Sequence, residues 1–131
     1  MGKGKAAGLG FGLRCFVEAQ LEPGFALFAR YAGLAQRLTQ AQLVLTGEGA
    51  IDHSTVMGKG VGELARLCQR AGVPCLGLGG IVPDRASAKP LFTELYALTP
   101  DLTTREEALR QPARWLEQLA AKAAGDVKRD A

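Results

Sequence analysis

The amino-acid sequence predicts an α/β fold with a small, mostly parallel three-stranded sheet and flanking helices. Three short apolar runs, at 43–45, 73–78 and 94–98, are bounded by glycines or turn residues. A helix-like segment separates the first two runs, and strands joined through a helix run parallel with a right-handed crossover. Continuous apolar runs of this length are typical of strands that are buried on both faces.

Composition limits the classes of function. The chain has 131 residues, of which 47% are hydrophobic and 22% charged, as is typical of one folded domain. The net charge of +3 and the aromatic content of 6% are too low to indicate nucleic-acid binding. No apolar run approaches the roughly 18 residues of a membrane span, so no membrane association is expected.

The cysteines and the single histidine predict a cytoplasmic protein without a zinc site. Cys15, Cys68 and Cys75 are odd in number and lack CxxC spacing, so we expect reduced, mostly buried thiols. His53 alone does not suffice for a zinc site built on histidine and cysteine. Glycines interrupt residues 6–13, which therefore lack the apolar core of a signal peptide.

The first part of the chain predicts a glycine-rich opening and two helices. Residues 1–12 form the glycine-rich segment, and Gly8-Leu9-Gly10-Phe11-Gly12 does not match the dinucleotide fingerprint GxGxxG. This run is either a loop whose N–H groups cradle a phosphate or a flexible loop. A helix is predicted over 13–20, a turn at Pro23-Gly24, and a second helix over 25–38.

The central part alternates strand and helix. The first strand is predicted to end at Thr46-Gly47-Glu48-Gly49, and the second at Gly79-Gly80. Between them a helix over 59–71 is followed by Gly72, which is placed to cap its C-terminus.

The last part is predicted to be helical. Its helix begins at Thr103 or Thr104, each of which opens a capping box. Pro112 either kinks this helix or is the first residue of a second one. The tail, 125–131, is expected to fray. Because three parallel strands leave much of a sheet uncovered, further chain, a second copy or a separate partner is expected to complete the layer.

Ligand chemistry is expected at the carboxyl ends of the strands, where open α/β sheets bind ligands. The segments 46–55, 79–84 and 99–101 lie there and carry acidic and hydroxyl side chains. Glu48 and Asp52 suit a hydrated Mg²⁺ shared with substrate phosphates. In the alternative reading, Glu48 only ends the strand and Asp52 caps the next turn.

The segment before the helix at 59–71 suits an anion. Gly58 and Lys59 precede a helix start, where N–H groups and a lysine favour phosphate. The P-loop pattern is not met, because Gly60 follows the lysine. The alternative is a lysine in solvent.

The run from Leu43 to Asp52, with Thr55 and Gly58-Lys59 after it, resembles the bacterial glycerate kinases that form 2-phosphoglycerate. The family pattern there is approximately (S/T)-G-E-G-R-x-D-x-Q-(S/T)-x-x-G-K. Further agreement in order and spacing is found at 6–13, 21–24, 71–74 with 79–80, and 104–108 with 116–117.

The resemblance implies a single domain, 1–131, that corresponds to the C-terminal third of the family and to part of a Rossmann-like domain. It implies ATP-dependent phosphorylation of D-glycerate at its 2-hydroxyl, with Mg²⁺ and ATP as cofactors and glycerate or a related hydroxy acid as substrate. The implied catalytic residues are Glu48, Asp52 and Lys59, of which Glu48 and Asp52 hold Mg²⁺. The implied substrate or phosphate contacts are Thr46, Gly47, Gly49, Thr55, Gly58, Gly8 and Gly10.

Two departures from the pattern bear on activity. Ala50 stands where the family has arginine, a natural clamp for phosphate or carboxylate, and Ser54 stands where it has glutamine. A second hypothesis is therefore a non-catalytic, truncated binding or assembly module that needs a partner or self-association. A third is an unrelated small α/β nucleotide-binding protein.

Overall fold

The computed structural model describes residues 7–58 and 60–129. The chain divides into two compact units, Met1–Leu34 and Ala35–Ala131, which are described separately below. Within the described residues, no helix is long and apolar enough to cross a membrane.

The first unit contains two helices, α1 (Ala7–Val17) and α2 (Gly24–Tyr31). The predicted glycine-rich loop is wrong over residues 8–12, which are helical, and the helix predicted over 13–20 starts earlier and ends at Val17. Glycine lowers helix stability but does not forbid the helix, whose hydrogen bonds are local. The predicted break before the second helix is confirmed, because residues 18–23 are neither helix nor strand and Pro23 is the N-cap of α2.

The prediction of a single helix over 25–38 is wrong, because the helix ends after Tyr31 and a second one begins at Leu34. Gly33 adopts a left-handed conformation with φ of +61°, and the helix α3 follows at Leu34–Leu38. A residue without Cβ enters this conformation readily, so the glycine ends one helix instead of weakening a longer one.

The second unit is built on a three-stranded parallel sheet in the order β1-β2-β3, which confirms the predicted fold class. The strands are β1 (Val44–Ala50), β2 (Cys75–Ile81) and β3 (Glu94–Thr99). The remaining elements are α4 (His53–Val56), α5 (Gly60–Ala71), α6 (Arg85–Ala88), a 3-10 helix (Lys89–Leu91), α7 (Arg105–Arg110) and α8 (Pro112–Arg129).

Strand β1 differs from its prediction in length and burial. It continues through Thr46-Gly47-Glu48-Gly49, so these residues are strand and not the turn that ends it. An added Cβ on Gly47 would lie 2.5 Å from the Leu78 carbonyl oxygen, and one on Gly80 would lie 2.6 Å from that of Gly49. The glycines therefore permit close pairing of β1 with β2. Burial on both faces is wrong for β1, an edge strand whose burial alternates.

The two faces of the sheet carry separate cores. On one face α5 packs through Ala65 and Cys68 around Ile51, Cys75 and Leu95. The other face is covered by α8, and its core consists of Leu76, Tyr96, Leu98, Leu119 and Ala123. The cover is thinnest beside β1, where Leu45 is 60% exposed and Leu116 of α8 is 50% exposed.

The ends of α5, α7 and α8 show which residues begin or cap these helices. Gly72 caps α5 with φ of +68°, and the N–H of Val73 donates to the Cys68 carbonyl at 2.9 Å, as in a Schellman motif. Thr104, and not Thr103, is the N-cap of α7. Pro112 is the first residue of α8, so the second alternative for this proline is confirmed.

The C-terminal tail is helical where fraying was expected. Helix α8 continues through Gly125 to Arg129, and Val127 packs against the core that contains Leu119. This apolar contact favours helix in a segment whose polar composition alone indicates fraying. Residues 130–131 lie outside the described residues.

The three cysteines are free thiols. Cys15 is exposed, whereas Cys68 and Cys75 are buried. Burial, with Cys68 close by, raises the pKa of the Cys75 thiol to about 12. A thiol with so high a pKa is a poor nucleophile at neutral pH, so Cys75 acts as a core residue.

Two glycine-to-alanine exchanges should change stability in opposite directions. Gly72→Ala places a side chain at a positive φ and should lower the free energy of unfolding by about 1 kcal/mol. Gly125→Ala, inside α8 with open space around it, should raise the free energy of unfolding by roughly 0.5–1 kcal/mol. Urea unfolding of both variants measures this, and equal effects of the same sign would contradict the capping role of Gly72.

Candidate functional site

Glu48 lies in the last part of β1, with its side chain directed toward α4. Side chains alternate along a strand, so Glu48 shares one face of β1 with Val44, Thr46 and Ala50. The Thr55 hydroxyl donates a hydrogen bond to Glu48 Oε1. Glu48 lies beside Gly79 in the register of the sheet, so no neighbouring side chain on β2 crowds the carboxylate.

Asp52 begins α4 as its N-cap. Its Oδ1 accepts the Ser54 N–H at 2.8 Å and the Ser54 hydroxyl. The hydroxyl of Thr55 accepts the Asp52 N–H at 3.2 Å, which completes a capping box. The capping interpretation is therefore confirmed for Asp52. The companion interpretation, that Glu48 only ends the strand, is wrong because the strand continues past it.

The connection from α4 to α5 is held by backbone and side-chain contacts. Gly58 has a φ of +109°, and an added Cβ would lie 3.3 Å from Glu63 Oε1. Arg66 pairs with Glu63 at 2.9 Å and donates to the carbonyl of Val56 at the end of α4. Lys59, the predicted phosphate ligand, lies outside the described residues.

The loops that follow β2 and β3 carry further charges. Asp84 caps α6 and accepts the Ser87 N–H at 3.1 Å. Hydrogen bonds from Ser87, helped by the nearby His53, hold the pKa of the Asp84 carboxyl below its usual value. Arg85 pairs with Asp101 at 2.5 Å and so joins these two loops. The three predicted segments therefore cover the last residues of the parallel strands and the loops that follow them.

A cleft of about 490 Å³ opens on the opposite face of β1. Leucines and glycine backbone dominate its lining: Leu45, Thr46, Gly47, Glu48, Gly49, Leu78, Gly79, Gly80, Leu98, Pro112 and Leu116. Its volume is within the range of small-molecule pockets. The predicted contacts Gly47 and Gly49 belong to this cleft, and they are separated from the Glu48 carboxylate by the alternation of the strand.

The Glu48 carboxylate has the chemistry to bind a Mg²⁺ that is shared with substrate phosphates. In the part of the chain that the structure describes, no three His, Cys, Asp or Glu side chains are grouped as a complete metal site. Protein-bound Mg²⁺ commonly takes one or two carboxylates and fills its remaining positions with water and phosphate. Glu48 can contribute Oε2, because the hydrogen bond from Thr55 goes to Oε1 and no other described residue makes a hydrogen bond to this carboxylate.

The structure brings together only part of the predicted site. Glu48, Asp52 and Thr55 form one hydrogen-bonded cluster at the end of β1, and Thr46 lies on the same face of the strand. Gly8 and Gly10 belong to α1 in the first unit, so their phosphate contacts stay predictions.

Sequence reasoning missed Gly62 and Arg66, which shape the cluster from α5. An isolated glycine inside a helical pattern is a signal of close packing, and Gly62 is such a residue. Its added Cβ would lie 2.0 Å from the carbonyl oxygen of Thr55.

The capping role of Asp52 can be separated from a ligand role by two substitutions. Asp52→Ala removes the cap and should lower the free energy of unfolding by about 1 kcal/mol. Asp52→Asn keeps a capping oxygen and should lower the free energy of unfolding by only about 0.3 kcal/mol, although it removes the charge that Mg²⁺ needs. Urea unfolding measures both variants, with Thr104→Ala as a matched loss of a cap on α7. Equal losses for Asp52→Ala and Asp52→Asn would contradict capping by the side chain.

The sequence of the chain is similar to known proteins. The chain matches the model of the glycerate kinase family over residues 1–128. It is 34% identical to a glycerate kinase of Halalkalibacterium halodurans, over 91% of this chain and 32% of that protein. It is 30% identical to a glycerate kinase of Bacillus subtilis, over 97% of this chain and 34% of that protein.

A more distant relative, the glycerate 2-kinase of Escherichia coli, is 27% identical over 83% of this chain and 29% of that protein. The chain thus spans about a third of the length of these relatives. No solved structure shows a significant match. With a family model that covers almost all of its residues, the chain belongs to the glycerate kinase family.

Proposed function

We propose that this chain takes part in the phosphorylation of D-glycerate at its 2-hydroxyl, with ATP as phosphoryl donor. The observation that carries the proposal is the Glu48 carboxylate, held at the end of β1 by Thr55 with its second oxygen uncommitted among the described residues. Its place at the carboxyl end of a parallel sheet is where α/β proteins bind their ligands. Family membership supports the reaction class, and the name of the Escherichia coli relative supports the 2-position.

In this reaction the 2-hydroxyl oxygen of glycerate forms a bond to the γ-phosphorus of ATP. The bond from that phosphorus to the bridging oxygen breaks, ADP leaves, and the hydroxyl proton is lost to a base or to solvent. Such transfer depends mainly on positioning and on stabilisation of charge. Mg²⁺ supplies positive charge to the phosphate oxygens when it is bound.

Three charged residues have proposed roles in this reaction. Glu48 offers Oε2 to Mg²⁺ or orients the attacking hydroxyl, and Asp52 adds a second carboxylate while it caps α4. Lys59 pairs with a phosphate or with the carboxylate of glycerate. Ala50 follows Glu48 by two residues on the same face of β1, so the arginine of the family pattern is missing at the site itself.

Removal of the Glu48 charge should strongly reduce Mg²⁺-dependent turnover. ³¹P NMR with Mg²⁺, ATP and D-glycerate follows the growth of a phosphate-ester signal, and Glu48→Gln should reduce its rate by about 10²-fold or more. Glu117→Gln, an exposed carboxylate on α8, is the matched control and should leave the rate unchanged.

Two results would contradict the proposal. One is equal turnover in the wild type and in Glu48→Gln. The other is a folded wild-type chain that neither forms the ester nor binds Mg²⁺ and ATP in a calorimetric titration. The second result would favour the non-catalytic assembly module.

A further inference from the structure

We propose that Thr55 is a positioning residue that fixes the Glu48 carboxylate, and that Gly62 in turn holds Thr55 in place. The catalytic consequence rests on the proposed function, whereas the positioning itself does not. This role differs from the substrate contact that the sequence pattern implies for Thr55.

The burial of Thr55 rules out direct contact with a ligand in this structure. Its side chain is 0% exposed. Its hydroxyl has two protein partners, the Glu48 carboxylate and the Asp52 N–H. A substrate hydroxyl or phosphate would have to displace one of them and also reach a group that is closed to solvent.

The direction of the Thr55 hydroxyl is determined by its partners. A threonine hydroxyl has one proton to donate, and its oxygen can accept. The oxygen accepts the Asp52 N–H at 3.2 Å, and the backbone N–H of Thr55 donates to the Asp52 carbonyl at 3.0 Å. The only proton of the hydroxyl is therefore available to Glu48, and a carboxylate can only accept it.

Gly62 fixes the position of Thr55 from the neighbouring helix. An added Cβ at Gly62 would lie 2.0 Å from the carbonyl oxygen and 2.9 Å from the carbonyl carbon of Thr55. Both are backbone atoms, which cannot rotate away as the end of a side chain can. Helix α5 thus approaches α4 at a distance that only glycine allows, and this contact seats Thr55 against the end of β1.

The consequence concerns the freedom of a carboxylate on an edge strand. Glu48 is half-buried and has no side chain beside it at Gly79. Without Thr55 its long side chain would sample several rotamers and would lose that freedom on each binding event. Held by Thr55, it presents Oε2 in one orientation before the ligand arrives, as preorganised sites do.

The experiment measures the Glu48 side chain directly in this chain. Three-bond NMR couplings report its χ1 rotamers, and the ¹³C resonance of its carboxyl group reports Mg²⁺ added alone. Wild type and Thr55→Ser should show a single rotamer. Thr55→Val, which keeps the shape but lacks the hydroxyl, should show averaged couplings and a Mg²⁺ affinity that is about tenfold weaker, because binding must then immobilise the Glu48 side chain.

Two further variants test general damage and the role of Gly62, respectively. Thr99→Val removes another buried hydroxyl, 9% exposed, that donates to the Gly80 carbonyl at 3.1 Å; it should leave the Glu48 couplings unchanged. Gly62→Ala leaves the Thr55 hydroxyl in the chain but displaces α4, and should average the couplings as Thr55→Val does.

Different results would overturn the positioning role and the proposed function. A single Glu48 rotamer in Thr55→Val overturns the positioning role. If Thr55→Val does not fold, the wild type decides, because a slowly exchanging Thr55 hydroxyl proton with a nuclear Overhauser contact to the Glu48 side chain is expected and its absence overturns the proposal. A fixed Glu48 that does not respond to Mg²⁺ or to ATP instead contradicts the proposed function and leaves the positioning established.

Discussion

The close approach of β1 to β2 is the constraint on which the site depends. It is possible because Gly47 and Gly80 lack side chains that would meet the backbone of the opposite strand. The strand can therefore continue through the Thr46-Gly47-Glu48-Gly49 run and does not turn away. Alternation along that strand then sends Glu48 toward α4 and leaves the flanking glycines on the opposite face.

A second close contact between backbones lies one layer further from the sheet. Gly62 brings α5 against α4, and α4 in turn presents Thr55 to Glu48. Asp52 contributes to the structure of this layer as the N-cap of α4. A short helix of four residues is thereby fixed at both ends, by Asp52 at its start and by Arg66 at the carbonyl of its last residue, Val56.

Sequence patterns predicted the three strands and the helix between the first two, but they missed the short helices α4 and α6 and the conformation of the glycine runs. Gly72 was predicted as a cap, and the structure decides between the two alternatives for Pro112, because glycine favours the left-handed cap and proline the first helical position. Glycine in a run has no such preference. The glycines in 8–12 are helical and those in 47–49 are strand, because hydrogen bonds and neighbouring backbone decide what composition leaves open.

The candidate site could be located from sequence but not assembled from it. Parallel strands place their carboxyl ends at one edge, which was enough to select Glu48 and Asp52. Sequence spacing does not show that Thr55 contacts Glu48, because that hydrogen bond depends on how closely α4 packs against the end of β1. Gly62, seven residues further along the chain, determines this packing through a contact between backbones.

The proposed ligand site lies at the carboxyl end of β1, on the α4 side. An ¹H–¹⁵N correlation spectrum of the chain, titrated with Mg²⁺ and ATP, locates bound ligands without any substitution. We expect the largest shifts at residues 46–60 and at the neighbouring loop, 79–84. Shifts confined to other parts of the chain, with Glu48 and Thr55 unmoved, would contradict this location.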